Sequence, residues 1–233
     1  MKSLVAVALV LGVSLMAAGC ARQLPLKGTV IGSPQTASDF ALIDQHGNMF
    51  RLADQRGKVV VLSFIYTHCT DICPFETLKI KATLPLLGSG TRNVVFVAIT
   101  TDPERDTKQV VADYSREAGL FDIWHFLTGS PDSLKRVWAN YGIGVLAHSD
   151  EAKGQPEPEA GSPGREVSPT QGLTNADLQT AGLLIDHFGG GYEVEHTAPF
   201  WFIDRAGKLR ATMDEDALPD DIAYNIRELS NGR

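Results

Sequence analysis

The chain has 233 residues, of which 43% are hydrophobic, so it can bury one sizeable core and a single domain is the default. Its formal net charge is -7, and this acidic balance argues against nucleic acid as a main partner. The methionines and histidines are scattered, and the sequence has no Met-rich or His-rich metal-binding tract.

The first 20 residues are typical of a targeting segment. Lys2 gives a short basic start, residues 4–16 are apolar, and three small residues precede Cys20. The apolar stretch is shorter than a membrane-spanning helix, and small residues directly before a cysteine resemble a bacterial lipobox. We therefore predict a lipoprotein-type signal peptide at residues 1–19 and a diacylglyceryl anchor on Cys20. Two alternatives stay open: an ordinary secretory signal cut nearby, and an uncleaved anchor.

All three interpretations place the mature protein outside the cytoplasm, where thiols can oxidise. With the lipid anchor, it lies at the extracytoplasmic face of a bacterial membrane, in the periplasm or cell envelope. Because the anchor accounts for Cys20, Cys69 and Cys73 carry all the thiol chemistry of the mature chain. Residues 20–37 are predicted to be a tether, and residues 38–233 to form the folded domain.

Beyond the tether, segments typical of strands alternate with segments typical of helices. Apolar runs at residues 59–65 and 94–100 predict two central strands. Strands that alternate with helices and end in a hairpin plus a helix predict an α/β fold, a thioredoxin-like mixed sheet flanked by helices with an N-terminal hairpin. The other predicted elements are a hairpin at 40–51, helices at 74–87, 106–119, 130–141 and 216–229, a strand at 124–128 and a hairpin at 199–212.

Residues 149–182 interrupt this alternation. From residue 149 to residue 170 the chain is rich in Pro, Gly, Ser and Glu and has almost no large apolar side chain. Such a segment buries too little apolar surface to offset its ordering entropy, so we predict a disordered surface insert. A short helix is predicted at 175–184 and a flexible return at 189–191.

Cys69 and Cys73 stand between the predicted strand at 59–65 and the helix that follows it. Two thiols at positions i and i+4 of a helix start lie on the same face, close enough to form a disulfide or to hold one soft ion. A helix N-terminus lowers a thiol pKa and favours thiolate, the form that attacks disulfides and binds soft metals. Two thiolates alone suit Cu(I), whereas Cu(II) would want a nitrogen ligand as well. A pair of structural thiols or a structural disulfide is the plain alternative.

His196 is the histidine best placed to supply that nitrogen. It precedes the predicted strand that begins near residue 199, and in a thioredoxin fold the loop before this strand packs beside the thiol-bearing helix start. His68 adjoins Cys69 but is expected to point away from the cysteine face if the local backbone is extended. The remaining histidines are mostly expected to be solvated or to have ordinary hydrogen-bond partners.

Four segments, in the expected order, resemble the signatures of the SCO/SenC family of copper proteins. They are T-H-C-T-D-I-C-P at 67–74, T-D-P-E-R-D-T at 101–107, F-L-T-G-S at 126–130 and V-E-H-T at 194–197. The resemblance covers about residues 36–212 and implies copper, as Cu(I) or Cu(II), held by Cys69, Cys73 and His196. It also implies an acidic loop in which Asp102 supports the ligands from behind. Asp102 has an equally good interpretation as a turn residue, because Asp-Pro after a strand commonly starts a turn.

The resemblance further implies a role in the assembly of cytochrome c oxidase. The protein would hand copper to the Cu(A) site of that oxidase, or keep the cysteines of that site reduced for the metal. The implied partners are the oxidase subunit that carries the Cu(A) site, the membrane through the lipid anchor, and other copper chaperones. Binding and transfer of this kind require no enzymatic turnover.

The rival hypothesis is an enzyme, a thiol-disulfide reductase or peroxidase with Cys69 as the nucleophile and Cys73 as the resolving thiol. Both hypotheses use the same two sulfurs. His196 separates them, because Cu(II) binding needs the imidazole and simple thiol exchange does not. A redox-sensing module is a third class that stays open.

Overall fold

The computed structural model describes residues 25–149 and 192–232 of the chain. The predictions for the signal peptide at 1–19, for Cys20 and for the helix at 175–184 lie outside the described residues. Within the described ranges, no helix is long and apolar enough to cross a membrane.

The described ranges contain ten β-strands and four α-helices. The helices are α1 (Ile72–Leu87), α2 (Lys108–Glu117), α3 (Pro131–Asn140) and α4 (Pro219–Asn231). The strands are β1 (Thr29–Val30), β2 (Ala41–Ile43), β3 (Met49–Arg51), β4 (Val59–Ile65), β5 (Val94–Thr100), β6 (Trp124–Leu127), β7 (Val145–Ser149), β8 (Tyr192–His196), β9 (Phe200–Ile203) and β10 (Leu209–Met213).

In the part of the chain that the structure describes, the central sheet has six strands in the order β1-β10-β9-β4-β5-β6. β4, β5 and β6 run parallel, whereas β9 is antiparallel to β4, β10 to β9 and β1 to β10. β4 and β5 are buried along their whole length, as continuous apolar runs in a sheet covered on both faces require. Both strands have the bounds that the sequence predicts.

Two apolar layers cover the faces of this sheet. Alternate residues of a strand point to opposite faces, so Val61 joins the layer beneath α1, α2 and α4, whereas Leu62 joins the layer beneath α3 and the β2–β3 hairpin. This arrangement confirms the predicted thioredoxin-like mixed sheet flanked by helices, with its N-terminal hairpin. Because both faces are covered, the positions left for a site include the C-terminal ends of the strands, where β4 and β5 lead into the loops that carry Cys69 and Asp102.

Helix starts differ by a few residues from the prediction. α1 begins at Ile72, two residues before the predicted start, so Cys73 lies inside its first turn. α2 begins at Lys108, after a Thr107 cap, which is two residues later than predicted. α4 begins at Pro219, which is three residues later than predicted. Of these three helices, only α2 has a side-chain cap at its start, where Thr107 accepts the N–H of Val110, and helix propensity alone does not determine such boundaries.

The segment expected to be a tether, residues 20–37, is partly integrated into the sheet. β1 pairs with β10 along the sheet edge, and the N–H of Ala37 donates to the carbonyl of Gly207 at 3.0 Å. Gly28 permits the close approach, because its φ is +78° and a Cβ there would lie 2.2 Å from the carbonyl oxygen of Thr212. The structure differs from the expectation here because the exposed edge of β10 offers backbone groups with which this segment pairs.

β7 and β8 form an antiparallel hairpin that the sequence does not predict. Val145 pairs with His196 and Ser149 with Tyr192, so His196 belongs to a strand rather than to a loop. Ser149, the first residue of the predicted insert at 149–182, is therefore a strand residue, because β8 supplies it with a partner. The remainder of that insert lies outside the described residues.

Candidate functional site

The site forms where the chain leaves β4. The N–H of Cys69 donates to the carbonyl of Tyr66 at 3.4 Å, which turns the chain toward α1. Cys73 lies in the first turn of α1 and is fully buried, whereas Cys69 is partly buried, and both are free thiols. The backbone N–H of Cys73 donates to Sγ of Cys69 at 3.5 Å, so the two residues are in contact.

β8 brings His196 to these thiols. Nε2 of His196 lies 3.6 Å from Sγ of Cys73, although 123 positions separate the two residues in the sequence. Nδ1 of His196 lies 3.2 Å from the carbonyl oxygen of Thr197, which favours the tautomer with its proton on Nδ1 and leaves the Nε2 lone pair facing the sulfur. The structure therefore brings together the three residues that the sequence resemblance implies as ligands.

The two thiols have opposite electrostatic environments. The pKa of Cys69 is lowered to about 7, mainly by a hydrogen bond from the Cys73 thiol and also by the backbone N–H groups of residues 71–73, whereas burial opposes the shift. Burial is the main reason that the pKa of Cys73 is raised well above its ordinary value, and its neighbours Cys69 and Glu76 add to the rise. Cys69 is therefore the thiol that becomes thiolate near neutral pH.

His196 is held as a neutral ring. Burial lowers its pKa, because the charged imidazolium would lose hydration in this position, and the Thr197 carbonyl opposes the shift only in part. The ring meets that of Tyr66 edge-on, with a centroid separation of 5.7 Å. A neutral imidazole is the form that binds metal ions, so no proton has to leave His196 at neutral pH.

Asp102 lies behind the site and contacts neither thiol. Its carboxylate, 2% exposed, accepts the hydroxyl proton of Tyr192 at 2.6 Å and an N–H of Arg105. Its own N–H donates to Oγ1 of Thr100 at 2.9 Å, and its carbonyl accepts the N–H of Asp106 at 2.9 Å across the turn that follows. Tyr192 begins the strand that carries His196, so Asp102 bears on the site through that strand.

Asp106 is a site residue that sequence reasoning missed. Its fully buried carboxylate accepts the hydroxyls of Thr67 and Thr100, each at 2.5 Å, and the Thr67 N–H at 3.2 Å. It thereby fixes the start of the loop that carries Cys69, beside His68, whose Nδ1 lies 2.9 Å from Oγ1 of Thr67. The available signal is the second aspartate of the segment at 101–107.

Glu76 is a second residue that the sequence did not single out. It lies one turn after Cys73 in α1, is fully buried, and neither carboxylate oxygen has a hydrogen-bond partner among the described residues. Burial raises the pKa of Glu76 well above its ordinary value, although the nearby Lys79 opposes the shift. Burial in α1 therefore favours the uncharged form of the Glu76 carboxyl.

The other described histidines lie elsewhere. His125 is bonded through Nδ1 to a carboxylate oxygen of Asp44 at 3.2 Å, and His46 packs edge-on against Phe121 at 4.4 Å. Neither has a described contact with the thiols. His187 lies outside the described residues.

The three candidate donors are close together but do not form a ready coordination shell. Among residues 25–149 and 192–232, no group of three or more His, Cys, Asp or Glu side chains is already arranged to hold a metal ion. Metal bonds of about 2.0–2.3 Å to nitrogen and sulfur would require these side chains to turn toward a common centre. The donor types, two thiols and one imidazole, suit copper.

Residues 29–158, which include both cysteines and Asp102, match the family model described as SCO1/SenC. The chain belongs to the SCO1/SenC family. The matched segment covers more than half of the chain, and His196 lies beyond it.

Curated relatives bear SCO1 names. Protein sco1 of Schizosaccharomyces pombe is 35% identical over 114 residues, which are 48% of this chain and 43% of that protein. The mitochondrial SCO1 homolog 1 of Arabidopsis thaliana is 36% identical over 127 residues, 54% of this chain and 37% of that protein. The aligned part thus spans less than half the length of these relatives.

Solved structures of SCO1/SenC proteins have the same fold. Copper-bound ScoI of Bradyrhizobium japonicum has a TM-score of 0.59 and 24% identity, over 84% of this chain and 99% of that one. A SCO1/SenC family lipoprotein of Bacillus anthracis has a TM-score of 0.58 and 20% identity, over 86% and 99%. BsSco, a member of the Sco family of cytochrome c oxidase assembly proteins with an identified disulfide switch, has a TM-score of 0.57 and 19% identity, over 90% and 100%.

Proposed function

We propose that this chain binds one copper ion through Cys69, Cys73 and His196 and serves in the assembly of the Cu(A) site of cytochrome c oxidase. The observation that carries the proposal is the approach of His196 Nε2 to within 3.6 Å of the Cys73 sulfur. A nitrogen donor beside two thiols provides the mixed soft set that copper prefers in both oxidation states.

The two oxidation states would use the donors differently. Cu(I) would be held mainly by the two thiolates, and Cu(II) by the thiolates and the imidazole. Cys69 is the thiol that ionises first, with a pKa of about 7, whereas Cys73 keeps its proton until the metal displaces it. Binding would therefore release protons, and affinity would fall as the pH decreases.

The family and the sequence support a proposal for the partner and the location. Copper is bound in the Bradyrhizobium japonicum relative, and BsSco belongs to a group of oxidase assembly proteins. We propose that the domain stands outside the cytoplasm on a lipid anchor at Cys20, that it receives copper from other chaperones, and that it passes copper to the oxidase subunit with the Cu(A) site. The Bacillus anthracis relative is itself a lipoprotein.

A second candidate function uses the same thiols without copper. The Cys69 thiolate would attack a disulfide in a partner, and Cys73 would then attack the mixed disulfide. Two partner thiols would form as Cys69 and Cys73 become a disulfide, so two electrons and two protons leave this pair. The lowered pKa of Cys69 is the observation that favours this reductase role, whose substrate would be the Cu(A) cysteines themselves or another disulfide. A peroxidase would use the same pair.

Anaerobic copper titration of the reduced protein tests the copper proposal. We would add Cu(I) and, separately, Cu(II), and follow optical and EPR spectra of wild type, His196→Ala and His125→Ala. His125→Ala is the matched control, because His125 is bonded to Asp44 rather than placed at the thiols. We expect one copper per chain, and a Cu(II)–thiolate band in wild type and in the control.

In His196→Ala we expect that band to disappear while most of the Cu(I) affinity remains, because two thiolates suffice for Cu(I). An unchanged Cu(II) spectrum in His196→Ala would favour the thiol-exchange candidate. Copper binding that survives removal of both Cys69 and Cys73 would contradict the proposal.

A further inference from the structure

The position of His196 depends on how the β7–β8 hairpin is held. Among the described residues this hairpin is a two-stranded sheet of its own and shares no ladder with the central sheet. Such a hairpin is marginally stable alone, so contacts outside the ladder must fix it against the domain. Alternate side chains of a strand share a face; Tyr192, Val194 and His196 therefore face the domain together, and Val194 belongs to the core.

Two residues of the loop after β5 hold the Tyr192 end of β8. The Tyr192 hydroxyl donates to Oδ1 of Asp102 at 2.6 Å, and Nη1 of Arg105 donates to the Tyr192 carbonyl at 2.9 Å. Nε of Arg105 donates to Oδ2 of Asp102, which closes a ring of three interactions. The side chains of Arg105 and Asp102 are 16% and 2% exposed, so these charge-assisted bonds form largely away from water, where they are strong.

The guanidinium of Arg105 also lies against two aromatic rings, those of Tyr192 and Tyr66. Its central carbon is 3.8 Å from the ring centroid of Tyr192 and 5.7 Å from that of Tyr66. Tyr66 in turn contacts the His196 ring, and its hydroxyl accepts the N–H of Val194 at 3.4 Å. A flat guanidinium can stack and donate a fork of hydrogen bonds at once, whereas a lysine ammonium cannot.

We infer that Arg105 and Tyr192 are positioning residues that lock the β7–β8 hairpin in place and so keep His196 at the two thiols. The inference rests on the proposed function, because its consequence concerns the copper ion. An ion that needs the nitrogen donor, Cu(II), gains from the lock, whereas an ion held by thiolates alone, Cu(I), does not. Arg105 and Tyr192 thereby set the preference of the site between the two oxidation states.

Two conservative variants and one matched control test this lock. Tyr192→Phe removes the hydroxyl that binds Asp102 and keeps the ring, and Arg105→Lys keeps the charge and removes the planar fork. Arg116→Lys is the control, because Arg116 makes the same kinds of contact on α2, an ion pair with Asp113 at 2.6 Å and a ring contact with Phe121 at 4.4 Å.

We expect Cu(II) affinity to fall about tenfold or more in Tyr192→Phe and Arg105→Lys, since each loses a charge-assisted hydrogen bond. The nitrogen contribution to the Cu(II) EPR spectrum should weaken, and Cu(I) affinity should match that of wild type. In the metal-free protein, backbone amides of residues 192–196 should exchange hydrogen faster in both variants. Arg116→Lys should behave as wild type in every measurement.

A double variant tests whether Tyr192 acts through His196. If it does, adding Tyr192→Phe to His196→Ala should leave the residual Cu(II) affinity unchanged. Wild-type Cu(II) affinity and spectra in both positioning variants would overturn the inference while the proposed function stands. A wild-type protein that binds no copper would contradict the proposed function. The hydrogen-exchange rates of residues 192–196 in the metal-free variants would then show whether Arg105 and Tyr192 hold the β7–β8 hairpin in place. If Arg105→Lys fails to fold, Tyr192→Phe decides alone.

Discussion

The thiol of Cys73 hydrogen-bonds to Cys69 and lowers the pKa of Cys69 to about 7, while the Cys73 pKa is itself raised by burial. The two sulfurs therefore differ in role although only three residues lie between Cys69 and Cys73. Cys69 is the thiolate that first reacts with a metal ion or a disulfide. Cys73, which is buried, then binds the same ion or forms the disulfide with Cys69. His196 faces the inner sulfur, at 3.6 Å.

Alkylation should be faster at Cys69 than at Cys73. Because thiolate is the reactive form, the rate of iodoacetamide modification at Cys69 should rise with pH around a midpoint of about 7 and fall below it. Cys73 is fully buried, so its modification in the folded protein should be much slower. Cys73→Ala should move the Cys69 midpoint upward, since it removes the largest cause of the lowered pKa. Peptide mass spectrometry at a series of pH values measures both rates; equal rates at the two sites would contradict this assignment.

Asp106→Asn should destabilise the domain. The buried carboxylate accepts three hydrogen bonds from Thr67 and Thr100, and an amide cannot accept all of them. We expect the free energy of unfolding to fall by about 2–4 kcal/mol in urea titrations. Asp113→Asn is the control, because Asp113 is exposed and its ion pair with Arg116 should contribute less than about 1 kcal/mol. Equal losses in the two variants would remove Asp106 from the description of the site.

Glu76→Gln should alter how stability depends on pH. The pKa of Glu76 is raised above its ordinary value of 4.5, mainly by burial. A carboxyl with a raised pKa stabilises the folded state fully below pH 4.5 and loses that contribution as the pH rises through the folded-state pKa. Between about pH 5 and pH 6.5 wild type should therefore lose more stability than Glu76→Gln. Chemical unfolding at both pH values measures this, with the exposed Glu117→Gln as the control; parallel curves for wild type and Glu76→Gln would contradict it.

The sequence predicts the central strands well because β4 and β5 are continuous apolar runs, which local composition reveals. It does not predict the β7–β8 hairpin, since its pairing joins Ser149 to Tyr192 across residues 150–191. A signal was nevertheless present: Tyr192, Val194 and His196 alternate with glutamates, which is the period of a strand.

The candidate site divides in the same way. Cys69, Cys73 and His196 can be proposed from the sequence because their spacing, their place in the fold and the family motifs agree. The parts played by Asp106, Arg105 and Glu76 cannot be read in this way, because a charged residue gives no local sign of whether it will be buried. The burial of all three, and the partners of Asp106 and Arg105, arise only when distant parts of the chain pack together.

Lipidation at Cys20 makes a prediction outside the described residues. If the signal is cut before Cys20, mass spectrometry of membrane-extracted protein should find a diacylglyceryl-cysteine at the N-terminus. Cys20→Ser should prevent this processing, because the acceptor thiol is lost, and Cys69→Ser should leave it unaltered. A mature protein that starts elsewhere and still sediments with membranes would favour one of the other two interpretations of this segment.

Residues 150–191 should be dispensable for both folding and copper binding. Ser149 and Tyr192 are paired in the β7–β8 ladder, so the chain leaves and re-enters the described domain at neighbouring positions, and a two-residue Asn-Gly turn can join them. With that replacement, the free energy of unfolding should stay within about 1 kcal/mol of wild type, because closing a shorter loop costs no more entropy. The Cu(II)–thiolate band should also persist, since Tyr192 and His196 keep their register. A matched variant that deletes Ser149 as well would pair His148 with Tyr192. This shifts the register of β7 against β8 by one residue, which exchanges the faces of one strand. We expect this variant to lose the Cu(II)–thiolate band. Failure of the first variant to fold would mean that the segment between residues 149 and 192 is a structural element of the domain rather than an insert.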